Sequence, residues 1–124
     1  MKILLVDDDS GIAEIAALAL MRVGGFDVIS TDHAEEALAI VAQGGIDCAI
    51  LDVMMPRVDG PTLLRRLREL PEAQDLPVIF LTAKVQNHEV EKLLELGASG
   101  VISKPFDPMQ LSDQVRDILQ AITT

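Results

Sequence analysis

ILLVDDD, at residues 3–9, joins four consecutive apolar residues to three consecutive aspartates. An apolar run without polar alternation predicts a strand that is buried on both faces, as in a parallel sheet. The aspartates come directly after the predicted strand, where the chain leaves the sheet. This stretch therefore predicts a buried first strand with acidic side chains at its carboxyl end.

Similar apolar runs recur along the chain and alternate with amphipathic stretches. The further runs lie at residues 26–30, which is the weakest, 48–51, 78–81 and 101–102. After each run, apolar residues at i, i+3 and i+4 predict a helix. Five strand–helix units favour an α/β fold, doubly wound and flavodoxin-like, with a five-stranded parallel sheet in the order 2-1-3-4-5. No linker, repeat or low-complexity segment interrupts the pattern, so we expect residues 1–124 to form one domain.

Proline, glycine and aspartate residues mark where the helices should begin and end. Pro61 is expected in the first turn of the third helix, and Gly97 is expected to close the fourth. Asp32 is a candidate N-cap for the second helix. Asp107 is a candidate N-cap for the fifth helix, with Pro108 at its first helical position.

Composition argues against several classes of function. Twenty acidic and ten basic residues leave a formal net charge of -10, which disfavours direct binding to nucleic acid because the phosphate backbone would be repelled. The single cysteine, Cys48, excludes an internal disulfide and a multi-cysteine metal site. No apolar run reaches the roughly 18 residues that cross a membrane, and the acidic N-terminal region does not resemble a signal peptide. We therefore expect a cytoplasmic protein without a direct nucleic-acid or membrane partner.

Polar side chains follow four of the five predicted strands. These side chains, in chain order, belong to Asp7 and Asp8, Asp52, Thr82 and Lys104. Ligands of open α/β sheets bind outside the carboxyl ends of the strands, at the point where the strand order reverses. Since the first and third strands flank that point, we expect the three aspartates to converge there, with the threonine and the lysine beside them.

Three converging carboxylates have a characteristic chemistry. They repel one another in a low dielectric, and a bound cation relieves the repulsion. Carboxylate oxygens without histidine or cysteine select Mg²⁺, Mn²⁺ or Ca²⁺ over zinc. A carboxylate can also attack phosphorus and form an aspartyl phosphate. A plainer interpretation stays open for Asp7, Asp8 and Asp9, because acidic residues before a helix stabilise its dipole.

Four motifs carry a resemblance to a known family: LLVDDDS at 4–10, DVMMPRVDG at 52–60, LTA at 81–83 and SKPF at 103–106. Over essentially its whole length, the chain resembles the receiver domain of bacterial two-component response regulators. The resemblance implies a phosphorylation-activated signalling switch, in which Asp52 accepts a phosphoryl group from a sensor histidine kinase or a histidine phosphotransfer protein. A downstream effector protein or domain would read the change at the surface near the fourth helix. Such a domain promotes only its own phosphorylation and dephosphorylation and is not an enzyme with a separate substrate.

The same resemblance implies a role for each residue of the predicted cluster. The implied ligands of Mg²⁺ are Asp8, Asp52, the backbone carbonyl of Met54 and, through a water molecule, Asp7. Thr82 would contact the phosphoryl group, and Lys104 would form an ion pair with it. The Lys104–Pro105 peptide is expected to be cis.

Three positions near the site vary or depart from the common pattern of the family. Val101 stands where the family often has tyrosine or phenylalanine, so we expect the signal to pass through residues 83–90 and not through an aromatic rotamer. Met54 and Lys84 occupy positions that tune hydrolysis in the family. Met54 cannot orient water and Lys84 could screen the phosphoryl oxygens, which predicts a long-lived phosphoryl group.

Two other functions compete with the signalling switch. A Mg²⁺-dependent phosphohydrolase would use Asp52 as nucleophile, but enzymes of the haloacid dehalogenase type place a general acid two residues later, where Met54 cannot donate a proton. A flavodoxin would offer hydroxyls and amides to the flavin phosphate, whereas the loop after the first strand is triply acidic. The other chemically active side chains are interpreted as surface histidines (His33 and His88), a buried inert thiol (Cys48) and a solvated helix face (Arg65, Arg66 and Arg68).

Overall fold

A computed structural model describes residues 1–83 and 86–123 of the chain, and in these residues five strands alternate with five helices. The bounds are β1 Lys2–Val6, α1 Ser10–Arg22, β2 Asp27–Thr31, α2 Ala34–Ala42, β3 Cys48–Asp52, α3 Gly60–Arg68, a 3-10 turn Pro71–Ala73, β4 Val78–Thr82, α4 Asn87–Glu95, β5 Gly100–Ser103 and α5 Leu111–Thr123. The predicted succession of strand–helix units is confirmed. None of the helices in the described ranges combines the length and the apolar character needed to cross a membrane.

The five strands run parallel in one sheet, in the order β2-β1-β3-β4-β5. This order confirms the predicted doubly wound, flavodoxin-like fold. β1 lies between β2 and β3, at the point where the winding of the sheet reverses. The register places Val6 opposite Leu51 and Asp52 opposite Leu81, so that β1, β3 and β4 end close together.

Two apolar layers cover the two faces of the sheet. Because successive side chains of a strand point to opposite faces, Leu4 packs with α2 and α3, whereas Leu5 packs with α1 and α5. Both leucines are fully buried, which explains why the strand shows no polar alternation. Cys48 is also buried as predicted, and burial raises the pKa of its thiol to about 12.

The weakest apolar run forms the edge strand β2. It begins at Asp27 and not at Phe26, because the backbone N–H of Phe26 donates to the carbonyl of Leu20 at 3.1 Å. Phe26 therefore belongs to the turn that ends α1. Strand β2 is only partly covered, and this partial burial accounts for its mixed sequence.

The predicted start of α2 is wrong, although the predictions for the start of α3 and the end of α4 are confirmed. The N-cap residue of α2 is His33, whose side chain caps no backbone N–H, and Asp32 contacts the ring of His33 instead. Pro61 lies in the first turn of α3 as predicted. Gly97 follows the end of α4 with a φ of 108°, in the left-handed region that favours glycine.

The start of α5 also differs from the prediction. The helix begins at Leu111, and the carboxylate of Asp107 accepts the backbone N–H of Met109 at 2.8 Å. Asp107 therefore caps a separate turn at residues 108–110, and Pro108 lies in that turn and not in the helix.

Candidate functional site

Four polar residues meet at the carboxyl end of the sheet. Asp7 follows β1, Asp52 ends β3, Thr82 ends β4 and Lys104 follows β5. Asp7, Asp52 and Thr82 are buried, with 2, 5 and 2 % of their surfaces exposed. The backbone N–H of Lys104 donates to the carbonyl of Thr82 at 2.8 Å, which ties the lysine to the end of β4. The predicted convergence of these residues is confirmed, and the exposed Asp8 lies beside them.

Lys104 bridges the two buried aspartates. Its Nζ atom lies 3.0 Å from Oδ2 of Asp7 and 3.1 Å from Oδ2 of Asp52. Burial opposes the charge of the ammonium, but hydrogen bonds and attraction to the two carboxylates outweigh burial, and the pKa of Lys104 is raised. The lysine therefore remains charged and offsets part of the negative charge of the aspartates. The Lys104–Pro105 peptide is cis, as expected.

Asp52 is a buried carboxyl group with hydrogen bonds on two sides. Burial raises its pKa and the charge of Asp7 adds to the increase, although the hydrogen bonds from Lys104 and from the backbone of Met54 act against it. The N–H of Met54 donates to Oδ1 at 3.3 Å, while Oδ2 faces Lys104. A carboxylate that is costly to keep charged gains stability from any further cation beside it.

The acidic cluster of Asp7, Asp8 and Asp52 has the ligand chemistry of a divalent cation site. Each residue presents a carboxylate oxygen, and these oxygens all lie within 4.8 Å of one another. Oδ2 of Asp7 is buried and, apart from Lys104 at ion-pair distance, no donor among the described residues forms a well-aligned hydrogen bond to it. An all-oxygen donor set fits Mg²⁺, and it would accept Mn²⁺ or Ca²⁺ as well.

The third aspartate after β1 has a structural role. Oδ1 of Asp9 accepts the backbone N–H of Ile12 at 3.1 Å and caps α1. The N–H of Asp9 donates to Oδ1 of Asp7 at 2.9 Å, which orients the buried carboxylate. The plainer interpretation of the acidic triplet as a helix start is therefore confirmed for Asp9.

Gly60 is a site residue that sequence reasoning missed. A Cβ atom at this position would lie 2.5 Å from the carbonyl oxygen of Asp52 and 2.9 Å from the ring of Phe80. Asp59 accepts the N–H of Thr62 at 2.9 Å and caps α3, which brings the start of this helix against the end of β3. The available signal was a glycine directly after a capping residue, where alanine would favour the helix. That signal does not show that the backbone of another segment lies against the glycine.

Met54 and Val101, two of the residues expected to control phosphoryl lifetime and output, lie in the described part of the chain. Met54 is 64 % exposed, two residues after Asp52. Val101 is half-buried in β5. Lys84 lies outside the described residues, as does part of the segment 83–90, so the expectations for them stay predictions.

Arg68 differs from the predicted solvated helix face. Its guanidinium donates to three backbone carbonyls, those of Ala73, Leu76 and Gly97, at 2.6, 2.7 and 3.2 Å. It therefore ties the connection after α3 to the turn after α4. The histidines His33 and His88 are exposed, as predicted.

The family model described as the response regulator receiver domain matches residues 3–116. The chain belongs to the response regulator receiver family. The resemblance inferred from four short motifs is thereby confirmed. As a receiver, the chain is a signalling domain, and its acidic site is consistent with phosphorylation-driven signalling.

Several relatives show how widely the receiver resembles known response regulators. It is 35% identical over 118 residues to the phosphate regulon transcriptional regulatory protein PhoB of Pseudomonas aeruginosa, covering 95% of this chain and 51% of PhoB. It is 37% identical over 119 residues to the alkaline phosphatase synthesis transcriptional regulatory protein PhoP of Bacillus subtilis, covering 96% and 48%. The solved chemotaxis response regulator CheY4 of Vibrio cholerae has a TM-score of 0.87 at 27% identity, covering 94% and 97%. The chain thus spans about half the length of the curated relatives it matches.

Proposed function

We propose that Asp52 is the phosphoacceptor of a signalling switch, and that a sensor histidine kinase or a histidine phosphotransfer protein supplies the phosphoryl group. The observation that carries this proposal is the position of Lys104 between the buried carboxylates of Asp7 and Asp52, 3.0 and 3.1 Å away. Lys104 beside Asp52 offsets negative charge that the transfer adds to the site, and a cation held by the acidic cluster would offset more of it.

The proposed step converts the carboxylate of Asp52 into an acyl phosphate. A carboxylate oxygen attacks the phosphorus of a phosphohistidine, a new O–P bond forms and the P–N bond of the donor breaks. The leaving imidazole takes up a proton from solvent. Lys104 then lies beside the phosphoryl oxygens, and the hydroxyl of Thr82, at the end of the adjacent strand, donates to one of them.

Mg²⁺ would neutralise charge on the carboxylates and on the incoming phosphoryl group. We assign its direct ligands to Asp8, Asp52 and the backbone carbonyl of Met54, and a water-mediated contact to Asp7. In this assignment Asp7 keeps its ion pair with Lys104, and the exposed Asp8 leaves the metal-binding side open to the phosphodonor. The carboxylate oxygens of the acidic cluster, which all lie within 4.8 Å of one another, support the assignment.

A downstream effector protein or domain would read the phosphorylated state near α4. Leu93 is the buried side chain that anchors α4, and the other described residues of this helix are exposed or half-buried. Val101 in the neighbouring strand has no aromatic ring to move, so Thr82 and the segment 83–90 would carry the change. We assign residues 1–124 to one cytoplasmic domain, and the net charge of -10 argues against direct binding to nucleic acid.

Phosphorylation with a small donor tests the assignment. The protein is incubated with acetyl phosphate and Mg²⁺, reduced with borohydride and mapped by peptide mass spectrometry. We expect one modified residue, Asp52, and no modification in Asp52→Ala. Asp9→Asn is the matched control, because it removes one charge from the same acidic region but keeps a capping side chain, and it should react like wild type.

Two outcomes would contradict the proposal. Modification that persists in Asp52→Ala would place the phosphoacceptor elsewhere. Release of many phosphates per chain from a small phosphate ester would favour the phosphohydrolase instead, which the exposed, apolar Met54 argues against because it cannot protonate a leaving group.

A further inference from the structure

Arg57 differs from the other residues that have a positive φ. In the part of the chain that the structure describes, those other residues are all glycines, whereas Arg57 has a φ of 70°. A residue with a Cβ atom is strained in this left-handed region, which glycine adopts without a steric clash. Because such strain is found mainly at positions that a function requires, it points to a function of the Arg57 side chain.

The side chain of Arg57 does not stabilise the fold through a polar contact. The residue is exposed, and within the described ranges it forms no ion pair and no side-chain hydrogen bond. The nearby arginines of α3 differ, since Arg68 donates to three backbone carbonyls and Arg66 pairs with Glu35 at 2.6 Å. The positive charge of Arg57 is therefore available to an incoming molecule.

Arg57 lines a groove beside the acidic cluster. The groove has a volume of about 490 Å³, and Asp8 of the cluster also lies in its wall. Two further acidic residues line the groove, but Glu35 already has an ion pair and Asp32 contacts the ring of His33. An anion that approaches the exposed Asp8 along this groove therefore passes the guanidinium of Arg57.

The charge of this protein opposes the approach of a phosphodonor. A net charge of -10 and three clustered carboxylates repel the anionic phosphoryl group that the donor carries. Lys104 offsets part of this charge inside the site, but it is already paired with two carboxylates. A positive side chain in the groove reduces the repulsion that remains for the approaching anion.

We propose that Arg57 is a positioning residue for phosphoryl transfer, and that its guanidinium attracts the anionic phosphodonor into the groove beside Asp8. The inference rests on the proposed role of Asp52 as phosphoacceptor. Arg57 takes no part in the bonds that form and break, so its charge speeds the encounter and leaves later steps unchanged. Since the guanidinium is exposed, dissolved salt screens its effect.

The rate of phosphorylation by acetyl phosphate at constant Mg²⁺, measured by intact-protein mass spectrometry, tests the proposal. The second-order rate constant of Arg57→Gln should fall roughly two- to fivefold at about 30 mM ionic strength, and the difference should nearly vanish at about 1 M. Arg57→Lys keeps the charge and should react like wild type. Arg65→Gln is the matched control, because it removes the same charge from an exposed arginine outside the groove, and its rate constant should stay close to wild type.

Two further measurements separate an effect on the encounter from a change in the fold. Arg57→Gly should have a higher urea midpoint than wild type, because glycine relieves the strain, and should still react as slowly as Arg57→Gln. The rate at which the phosphorylated protein loses its phosphoryl group should be the same in all of these variants and in wild type, because this step needs no encounter with a donor.

Equal rate constants for Arg57→Gln and wild type at low ionic strength would overturn the proposal, as would an equal loss in Arg65→Gln. A lower urea midpoint in Arg57→Gly would also contradict it, because the arginine side chain would then stabilise the fold. None of these results would alter the assignment of Asp52, which the mapping of Asp52→Ala tests separately. A wild type that acetyl phosphate does not modify would contradict that assignment and the role of Arg57 with it.

Discussion

The chain has two comparable strand–helix junctions, the β1–α1 junction at residues 7–9 and the β3–α3 junction at residues 52–59. In each junction a pair of aspartates has the same two roles. In each junction an inner aspartate is buried beside Lys104, and an outer aspartate caps the following helix. The inner residues are Asp7 and Asp52, and the outer residues are Asp9 and Asp59. Burial and position, and not residue type, therefore decide which aspartate faces the site and which one stabilises a helix.

The two junctions differ in length and in what they add to the site. One residue separates the two aspartates of the first junction, and six separate those of the second. The short junction presents the exposed carboxylate of Asp8 to the acidic cluster. The long junction exposes Met54, holds Arg57 at a φ of 70° in the left-handed region, and leads into Gly60 against the backbone of Asp52. The long junction is thus the one whose backbone is sterically constrained.

The glycines at the two helix starts should show the largest difference between the junctions. In Gly60→Ala the new Cβ would lie 2.5 Å from the carbonyl oxygen of Asp52, so we expect the free energy of unfolding to fall by about 1–3 kcal/mol. In Gly11→Ala the new Cβ would meet only Oδ1 of Asp9 at 3.4 Å, so we expect a gain of up to about 1 kcal/mol. Urea unfolding followed by circular dichroism measures both values. Equal effects would show that close backbone approach does not distinguish the two junctions.

Removal of one charge at Asp8 and at Asp9 should have different effects on Mg²⁺ binding, because Asp8 belongs to the acidic cluster and Asp9 caps α1. We expect Asp8→Asn to weaken Mg²⁺ binding at least about tenfold, or about 1.4 kcal/mol, because one carboxylate of the cluster is lost. Asp9→Asn removes the same charge one residue later, but its side chain still caps α1, so its Mg²⁺ affinity should stay close to wild type. Calorimetric titration is suitable, since the chain has no tryptophan or tyrosine for fluorescence. Similar affinities for the two variants would remove Asp8 from the metal site.

The smallest effects should appear in the pH dependence of stability, with opposite signs for the two aspartates of the long junction. Hydrogen bonds from Thr62 lower the pKa of Asp59 below 3.8, so its stabilising effect is present above that value and is lost as the pH falls through the lowered pKa. Burial raises the pKa of Asp52 above 3.8. Without metal, the free energy of unfolding therefore increases as the pH falls through the raised pKa and Asp52 takes up a proton.

Two asparagine variants test these signs by urea unfolding with a chelator present, at pH values from about 7 to about 3. Asp59→Asn should lose less stability than wild type at the acidic end, because it has no cap charge to lose. Asp52→Asn should lack the contribution that rises on acidification. If the free energy of unfolding of both variants depended on pH as it does in the wild type, neither carboxyl group would have a shifted pKa.

Local sequence signals predicted the elements of the fold better than the ends of its helices. The apolar run at 48–51 predicted β3 because burial on both faces leaves no polar position in a central strand. The predicted cap at Asp32 was wrong because α2 begins one residue later, with His33 as its N-cap residue. The carboxylate of Asp32 contacts the ring of His33 instead of a backbone N–H of the helix. Such a contact depends on side-chain positions that spacing alone does not reveal.

The sequence by itself determined the sheet order, because right-handed crossovers restrict how five strand–helix units can pack. It also determined which residues meet at the carboxyl end of the sheet, because each strand signal and the residues after it are local. Only the tertiary structure decided which aspartates face the site, which ones cap a helix, and why position 60 needs glycine. It also decided the three carbonyl contacts of Arg68 and the solvent exposure of the apolar face of α1. These features depend on distances between residues that are far apart in the chain, or on which helix face remains uncovered after packing. No local pattern specifies such distances, because they are set only when the layers pack on the sheet.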